Sequence, residues 1–198
     1  MSTVVSFPSS IAASVFNLVI ILWILSEIIG GTIIPQLRRG KAKIERKDRN
    51  SAYIIFASIF ISIIVAYYFN GNNIAMLPNW VFYIGITLMI LGILLRQWSI
   101  YILGRFFSGV VGTQKDQKVI DNVPYRYVLH PSYTGALLIL IGIGLSVQSW
   151  GAVITLMAIF TIAYGYRIYI EEKALISKLG EEYIKYAEKT KRIIPYII

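Results

Sequence analysis

The chain has 198 residues, of which 57% are hydrophobic and 15% charged, and its formal net charge is +9. This composition is too apolar for an ordinary soluble domain and indicates an integral membrane protein. Because the chain has no cysteine and one histidine, disulfides, thiolate metal sites and cysteine nucleophiles are excluded, and little material remains for any other metal site.

Long apolar runs with few or no charges predict five transmembrane helices, at about residues 7–34, 51–69, 80–103, 131–148 and 149–170. A helix of about 18 to 20 apolar residues is long enough to cross the hydrocarbon layer of a membrane. The first span is expected to end near Ile34, because Pro35 follows it directly. The predicted fold is therefore an all-α membrane protein that forms one integral membrane domain over residues 1–198.

The connectors between these spans differ in charge. All 19 Lys and Arg residues fall within 38–49, 96–126 and 167–192, whereas the connectors 70–79 and 148–151 contain none. The positive-inside rule then places the N-terminus outside and the basic connectors, with the C-terminus, in the cytoplasm. Basic segments beside membrane spans favour contact with anionic membrane lipids over nucleic acid. We expect a multi-pass protein that binds no nucleic acid and acts as a monomer.

Two segments outside the spans have recognisable patterns. The polar connector 104–129 contains two pieces that could be extended, around 106–111 and 118–120. After the last span, residues 171–191 show apolar side chains at every fourth position, which predicts an amphipathic helix on the membrane surface or against the cytoplasmic loops. The positions that carry this spacing are Leu175, Leu179, Tyr183 and Ala187.

Arg96 interrupts the third span, where the helical pattern continues past it. Charged side chains inside membrane helices usually face protein or water and are often functional. A long arginine can also extend its charged end to the membrane interface. Both interpretations of Arg96 remain open from the sequence.

The junction before the fourth span contains the single histidine, His130, followed by Pro131. Proline suits the first turn of a helix, where the free backbone amides could meet a ligand. Gly135, one turn later, either lets a ligand approach the backbone or is a small packing residue. If the last two spans form an antiparallel hairpin, His130 and Arg167 lie at the same membrane face, and we expect the active site there.

Arg167 and Glu171 are four residues apart and therefore share one face of a helix. Glu171 could orient Arg167 while the guanidinium binds an anionic substrate. Alternatively, the two side chains form an ion pair of small energetic value at the end of the membrane span.

Several of these segments together resemble the isoprenylcysteine carboxyl methyltransferase family. The resemblance covers roughly residues 100–198, with Leu129, Gln117 and Val123 departing from the residues common in the family. The matching segments are Gly104-Arg105-Phe106-Phe107, the run Pro124-Tyr125-Arg126-Tyr127-Val128, His130-Pro131-Ser132-Tyr133-Thr134-Gly135, and Arg167 with Glu171-Glu172.

The resemblance implies S-adenosylmethionine as methyl donor, bound on the cytoplasmic side by a region at about 104–192. It also implies a lipophilic small molecule or prenylated peptide, such as a C-terminal isoprenylcysteine, that reaches the site from the bilayer and is methylated on its carboxylate. Arg167 and Glu171 become the implied catalytic pair. The implied cofactor contacts are Gln117, Lys118, Val119, His130, Tyr133, Gly135 and Glu172.

The chemistry of this reaction suits the available side chains. A carboxylate is already ionised at pH 7 and needs no general base, so alignment and exclusion of water suffice. One alternative is a phospholipid N-methyltransferase, in which an acidic residue would receive the amine. Another is a non-enzymatic membrane transporter or scaffold with Arg96 and Glu27 lining a path. The small size and the Lys- and Ile-rich composition favour a prokaryotic origin.

Overall fold

The computed structural model describes residues 7–40, 44–48 and 50–193, which are mainly helical. Two short strands, β1 (Ile44–Asp48) and β2 (Val111–Gln114), pair antiparallel, so the all-α prediction is corrected by a small sheet. The helices are α1 (Ser10–Ile28), α2 (Ile34–Arg39), α3 (Asn50–Gly71), α4 (Val81–Leu103), α5 (Pro131–Ser146), α6 (Trp150–Leu179) and α7 (Glu181–Lys189).

The connector between α4 and α5 differs from the prediction of two extended pieces. Its start, Gly104–Phe106, is a 3₁₀ turn, and the strand begins only at Val111. Residues 118–120 form no strand. The reason is that β2 needs a partner strand, and its partner β1 comes from the distant connector between α2 and α3.

Four helical segments are long and apolar enough to cross a membrane: Ser10–Arg39, Asn50–Gly71, Val81–Phe106 and Trp150–Leu179. These correspond to the predicted spans 7–34, 51–69, 80–103 and 149–170. The predicted span 131–148 is the shorter helix α5, whose 16 residues extend about 24 Å. The predicted turn after it is confirmed, because Gln148 has a positive φ and Ser149 caps α6 by accepting a hydrogen bond from the Ala152 amide.

The first span does not end at Ile34. It passes through a π-helical segment, Ile29–Ile33, into α2 and ends at Arg39. Pro35 lacks an N–H and its ring clashes with the preceding turn of a regular helix, and the wider π turn accommodates this change of hydrogen bonding. Lys41, Lys43 and Arg49 of the basic connector lie outside the described residues.

The predicted amphipathic helix at 171–191 is in fact divided. Helix α6 continues to Leu179, and Gly180 ends it with a φ of +56°, a conformation that favours glycine. Helix α7 then begins at Glu181. As a result, Arg167 and Glu171 lie inside one long helix, and α7 folds back beside them with Tyr183 buried.

Glycines bring the backbones of α4 and α5 into direct contact. A Cβ atom added at Gly135 would lie 2.7 Å from the carbonyl oxygen of Gly92, and one added at Gly142 would lie 2.7 Å from that of Gly85. Small residues on the facing sides of two membrane helices allow the helices to approach closely. Gly135 therefore faces α4, as the interpretation of this glycine as a small packing residue predicts.

We predict that Gly142→Ala destabilises the protein by about 1 to 3 kcal/mol, because the added methyl group forces the two backbones apart. Gly165→Ala in α6 is the matched control, since a Cβ there meets nothing within 4 Å. It should leave stability unchanged or raise it by up to about 1 kcal/mol through helix propensity. Thermal unfolding in detergent measures both variants, and equal midpoints would contradict this account of the helix contact.

Candidate active site

A cavity of about 870 Å³, including its opening, lies where the α4–α5 connector meets the start of α5, the second half of α6, and α7. Most of the predicted site residues line it: Gln117, Lys118, Val119, His130, Tyr133, Arg167 and Glu171. Gly135 and Glu172 do not belong to this lining.

Tyr133 connects the two residues that were predicted to act as a pair. The Arg167 Nε–H donates to the Tyr133 hydroxyl at 3.0 Å, and that hydroxyl donates to Glu171 Oε2. Within the described part of the chain, no direct ion pair joins Arg167 to Glu171. Glu171 therefore orients Arg167 through the tyrosine hydroxyl, which the prediction of a direct pair did not include.

Arg167 is buried and is held by two further elements. Its Nη1 donates to the Ser51 hydroxyl on α3 at 3.1 Å, and its Nη2 donates to the Ser108 carbonyl at 3.2 Å. These bonds, with the one to Tyr133, occupy three of the five N–H groups of the guanidinium. No sequence pattern pointed to Ser51 or Ser108, because neither serine belongs to a motif.

His130 lies at the start of α5 with its ring stacked on that of Tyr133, at 5.3 Å between centroids. Its Nε2 is 3.3 Å from Glu172 Oε1, and the same carboxylate accepts from Arg192 Nε at 3.0 Å. The His130 amide donates to the Arg192 carbonyl at 3.0 Å. Glu172 thus fixes His130 and the C-terminal segment from behind the cavity.

Three tyrosines outside the membrane spans also line the cavity, namely Tyr125, Tyr183 and Tyr186. Burial raises the pKa of each of them well above its usual value, so all three keep their protons at neutral pH. Tyr186 donates to the Tyr125 carbonyl at 2.7 Å, and Tyr125 donates to the Ser99 carbonyl at 3.2 Å. Tyr183 has the helical spacing noted above and Tyr125 belongs to the segment that resembles the family, whereas no sequence pattern pointed to Tyr186.

A second cavity, with about 540 Å³ of empty space, lies on the other side of Arg167 and Tyr133. The walls come from α1 and its π segment, from the first turns of α3, and from the loop at 107–109. Most of the α3 side chains that line it are apolar. Since Arg167 and Tyr133 also line the first cavity, they form a common wall between the two spaces.

Arg96 is buried and faces the protein, which decides between the two interpretations of this residue. Its Nη2 donates to Glu27 Oε2 at 2.8 Å, its Nε donates to Glu27 Oε1, and its Nη1 donates to the Ser132 carbonyl at 3.0 Å. Glu27 and Arg96 therefore bind each other and link α1, α4 and the start of α5. Both line the second cavity.

Comparison with known proteins agrees with this arrangement. Residues 84–177 match the model of the isoprenylcysteine carboxyl methyltransferase family. Protein-S-isoprenylcysteine O-methyltransferase B of Arabidopsis thaliana is 27% identical over 120 residues, which are 60% of this chain and 61% of that protein. The Saccharomyces cerevisiae protein-S-isoprenylcysteine O-methyltransferase is 32% identical over 116 residues, 58% of this chain and 48% of that one.

The fold is also similar to that of a eukaryotic intramembrane Ras methyltransferase of the same family, with a TM-score of 0.70 at 23% identity over 98% of this chain and 70% of that one. The chain is thus an integral membrane protein with the fold of an intramembrane methyltransferase. Over residues 84–177 its sequence is similar to the isoprenylcysteine carboxyl methyltransferase family.

The chain spans only part of the length of the relatives that it matches. The chain covers about 61% of the length of the Arabidopsis relative and 48% of that of the yeast relative. The matched relatives come from plants, fungi, an insect and a frog. They do not support the prokaryotic origin expected from the composition.

We predict that Glu27→Ala destabilises the protein by roughly 3 kcal/mol, because it leaves the Arg96 charge buried without its carboxylate partner. Glu45→Ala, which breaks the exposed pair with Lys47, is the control and should change stability by less than about 1 kcal/mol. The measurement is thermal unfolding in detergent. A Glu27→Ala midpoint equal to that of Glu45→Ala would show that the buried pair contributes nothing.

Proposed function

We propose that the protein transfers a methyl group from S-adenosylmethionine to the carboxylate of a lipidated cysteine such as a C-terminal isoprenylcysteine. The observation that carries this proposal is the common wall of Arg167 and Tyr133 between two cavities. A donor and an acceptor that approach this wall from opposite sides can be aligned for in-line transfer. Holding both reactants in line supplies much of the rate acceleration for such a reaction.

The larger cavity suits the methyl donor. It combines aliphatic side chains at Val111, Leu175 and Leu179, which can enclose a flat purine, with polar groups that can hold a ribose and a charged amino-acid end. Glu172 would act through His130 rather than by direct contact. When bound, S-adenosylmethionine supplies an electrophilic methyl group on a sulfonium. The residues that we assign to this contact are Gln117, Lys118, Val119, His130 and Tyr133.

The second cavity suits the lipophilic acceptor. Its α3 wall, with Ile55, Phe56 and Ile59, presents apolar side chains next to the membrane. Arg167 stands at the inner end, where its planar guanidinium can bind the carboxylate and turn one oxygen toward the donor. Because this carboxylate is already ionised, Arg167 and Glu171 act by orientation and move no proton.

The proposed membrane topology rests on the distribution of Lys and Arg along the chain. We place the N-terminus outside and the basic connectors, the larger cavity and the C-terminus in the cytoplasm. Helix α5 is then the fifth membrane-inserted helix, and the larger cavity opens to the cytoplasm, where the methyl donor is dissolved. The acceptor enters from the bilayer between α1 and α3. All of the assigned residues belong to one chain, so a monomer suffices.

An N-methyltransferase acting on an amine headgroup is less well supported. Glu171 is the acidic residue that lines the larger cavity, and its carboxylate already accepts from Tyr133. The charged group on the common wall is the cation Arg167. This cation would repel a protonated amine and attract a carboxylate.

We predict that purified protein binds S-adenosylmethionine and that His130→Ala weakens this binding at least tenfold, which corresponds to about 1.4 kcal/mol and lies within the range for loss of a hydrogen bond to a charged group. Lys189→Ala on the exposed face of α7 is the control and should bind as the wild type does. Isothermal titration calorimetry in detergent gives both affinities. Absence of S-adenosylmethionine binding to folded wild-type protein would refute the proposed function.

The acceptor is tested by supplying labelled S-adenosylmethionine with either a farnesylated cysteine or phosphatidylethanolamine. We expect label in the farnesylcysteine ester, and a loss of roughly a hundredfold in turnover for Arg167→Ala, because an orienting charge at the reacting carboxylate is removed. The affinity of Arg167→Ala for S-adenosylmethionine should stay within about threefold of the wild type. Label in the phospholipid alone would favour the N-methyltransferase, and normal turnover by Arg167→Ala would exclude its proposed role.

A further inference from the structure

Ser51 is the first buried residue of α3 and lies outside the region that matches the family model, 84–177. Its side chain is fully buried, and its hydroxyl accepts a hydrogen bond from Arg167 Nη1 at 3.1 Å. The bond joins residues 116 positions apart in sequence. It brings the N-terminal half of the chain into contact with the guanidinium that we assign to the acceptor carboxylate.

The position of Ser51 is fixed from the other side by Asp48. The Ser51 amide donates to Asp48 Oδ2 at 2.7 Å, and the Asn50 amide donates to Asp48 Oδ1 at 3.1 Å. The pKa of Asp48 is lowered, mainly by a hydrogen bond from the Ser51 side chain, while burial opposes the shift. The amide bonds thus hold Ser51 against Asp48, and the Ser51 hydroxyl directs a lone pair to Arg167.

Asp48 is in turn connected to the larger cavity. It is the last residue of β1 and is paired with Val111 of β2, and Val111 lines that cavity. The connector between α2 and α3 is thus bound to the wall of the proposed cofactor site through β-sheet pairing, and to Arg167 through Ser51. An ordered path of hydrogen bonds runs from β1 through Asp48 and Ser51 to the guanidinium.

We propose that Ser51 and Asp48 are positioning residues that set the angle of the Arg167 guanidinium for the acceptor. Tyr133 holds the Nε edge of the guanidinium and Ser108 holds Nη2, so Ser51 holds the third nitrogen and thereby defines the plane of the group. A planar group gives a defined direction to a bound carboxylate only when its plane is fixed. The kinetic part of this inference rests on the proposed function, whereas the structural part does not.

The same helix supplies a matched control. Ser62 is also fully buried on α3, but within the described residues its hydroxyl has no hydrogen-bond partner. Ser62→Ala therefore removes a buried hydroxyl of equal size without touching Arg167. A general effect of serine-to-alanine changes in α3 would appear in both variants, whereas loss of positioning would appear only in Ser51→Ala.

The first experiment measures steady-state methyl transfer to farnesylcysteine. We expect Ser51→Ala and Asp48→Asn to lower turnover at least tenfold, since small misplacements of a substrate-orienting group cost rate of this order, with affinity for S-adenosylmethionine within about twofold of the wild type. Ser62→Ala should behave as the wild type does. Turnover of Ser51→Ala within twofold of that of Ser62→Ala would overturn the proposal.

The second experiment needs no activity. In protein carrying ¹⁵N-labelled arginine in detergent, the Arg167 Nε–H signal is identified as the one that Arg167→Lys removes. We expect Ser51→Ala to shift this signal and to speed its exchange with water at least fivefold, whereas Ser62→Ala leaves it unchanged. An unchanged signal in Ser51→Ala refutes the positioning role. A changed signal in a protein that methylates no acceptor supports the positioning role and refutes only the proposed reaction.

Discussion

The direct contact between the backbones of α4 and α5 is the constraint on which the rest of the structure depends. Gly85 and Gly92 of α4 meet Gly142 and Gly135 of the antiparallel α5 at distances that leave no room for a side chain. Since lipid tails are as apolar as leucine, close van der Waals packing of this kind is the main force that can hold two membrane helices together. It lets α5, which has only 16 residues, occupy a fixed depth beside its neighbour.

That fixed depth determines where the site residues lie. Arg96 follows Gly92 by one helical turn, and its side chain reaches the Ser132 carbonyl, just before Gly135, at this end of the glycine contact. The next residue, Tyr133, is then placed between Arg167 and Glu171 of α6. The hairpin turn between α5 and α6 returns the chain to the same end, so a change in helix separation would move the arginine, the tyrosine and the glutamate together.

The two buried arginines differ in whether a carboxylate neutralises the positive charge. Arg96 is paired with both oxygens of Glu27, which compensates the cost of removing the two ions from water. Arg167, within the described residues, is bonded to a tyrosine hydroxyl, a serine hydroxyl and a carbonyl, all of them neutral. Its positive charge is therefore solvated by dipoles but not neutralised, and an anionic ligand at the common wall would complete the missing pair. This difference favours Arg167 for binding and Arg96 for structure.

Sequence reasoning identified the parts of the protein that depend on local pattern. Apolar runs located the four long apolar helices, and the segment His130–Gly135 with Arg167 located one end of the larger cavity. Features that join distant residues were not predictable, because no local pattern encodes the partner of Glu27 or of Ser51. The strand at Val111 was misplaced for the same reason, since its partner lies in the connector after α2. From the sequence, a glycine one turn into α5 could contact either a ligand or a neighbouring helix. The structure shows Gly92 of α4 facing Gly135, which identifies a helix contact.

The N-terminal spans are therefore more than membrane anchors. The family model matches from residue 84 onward, yet Glu27 of α1 fixes Arg96 and Ser51 of α3 fixes Arg167. The second cavity is also walled by α1 and α3. A C-terminal half alone would keep the sequence motif but would lose the partners of both buried arginines and one side of the second cavity. The geometry of the wall between the two cavities is consequently a property of the complete helix assembly, although its most recognisable residues lie in the C-terminal half.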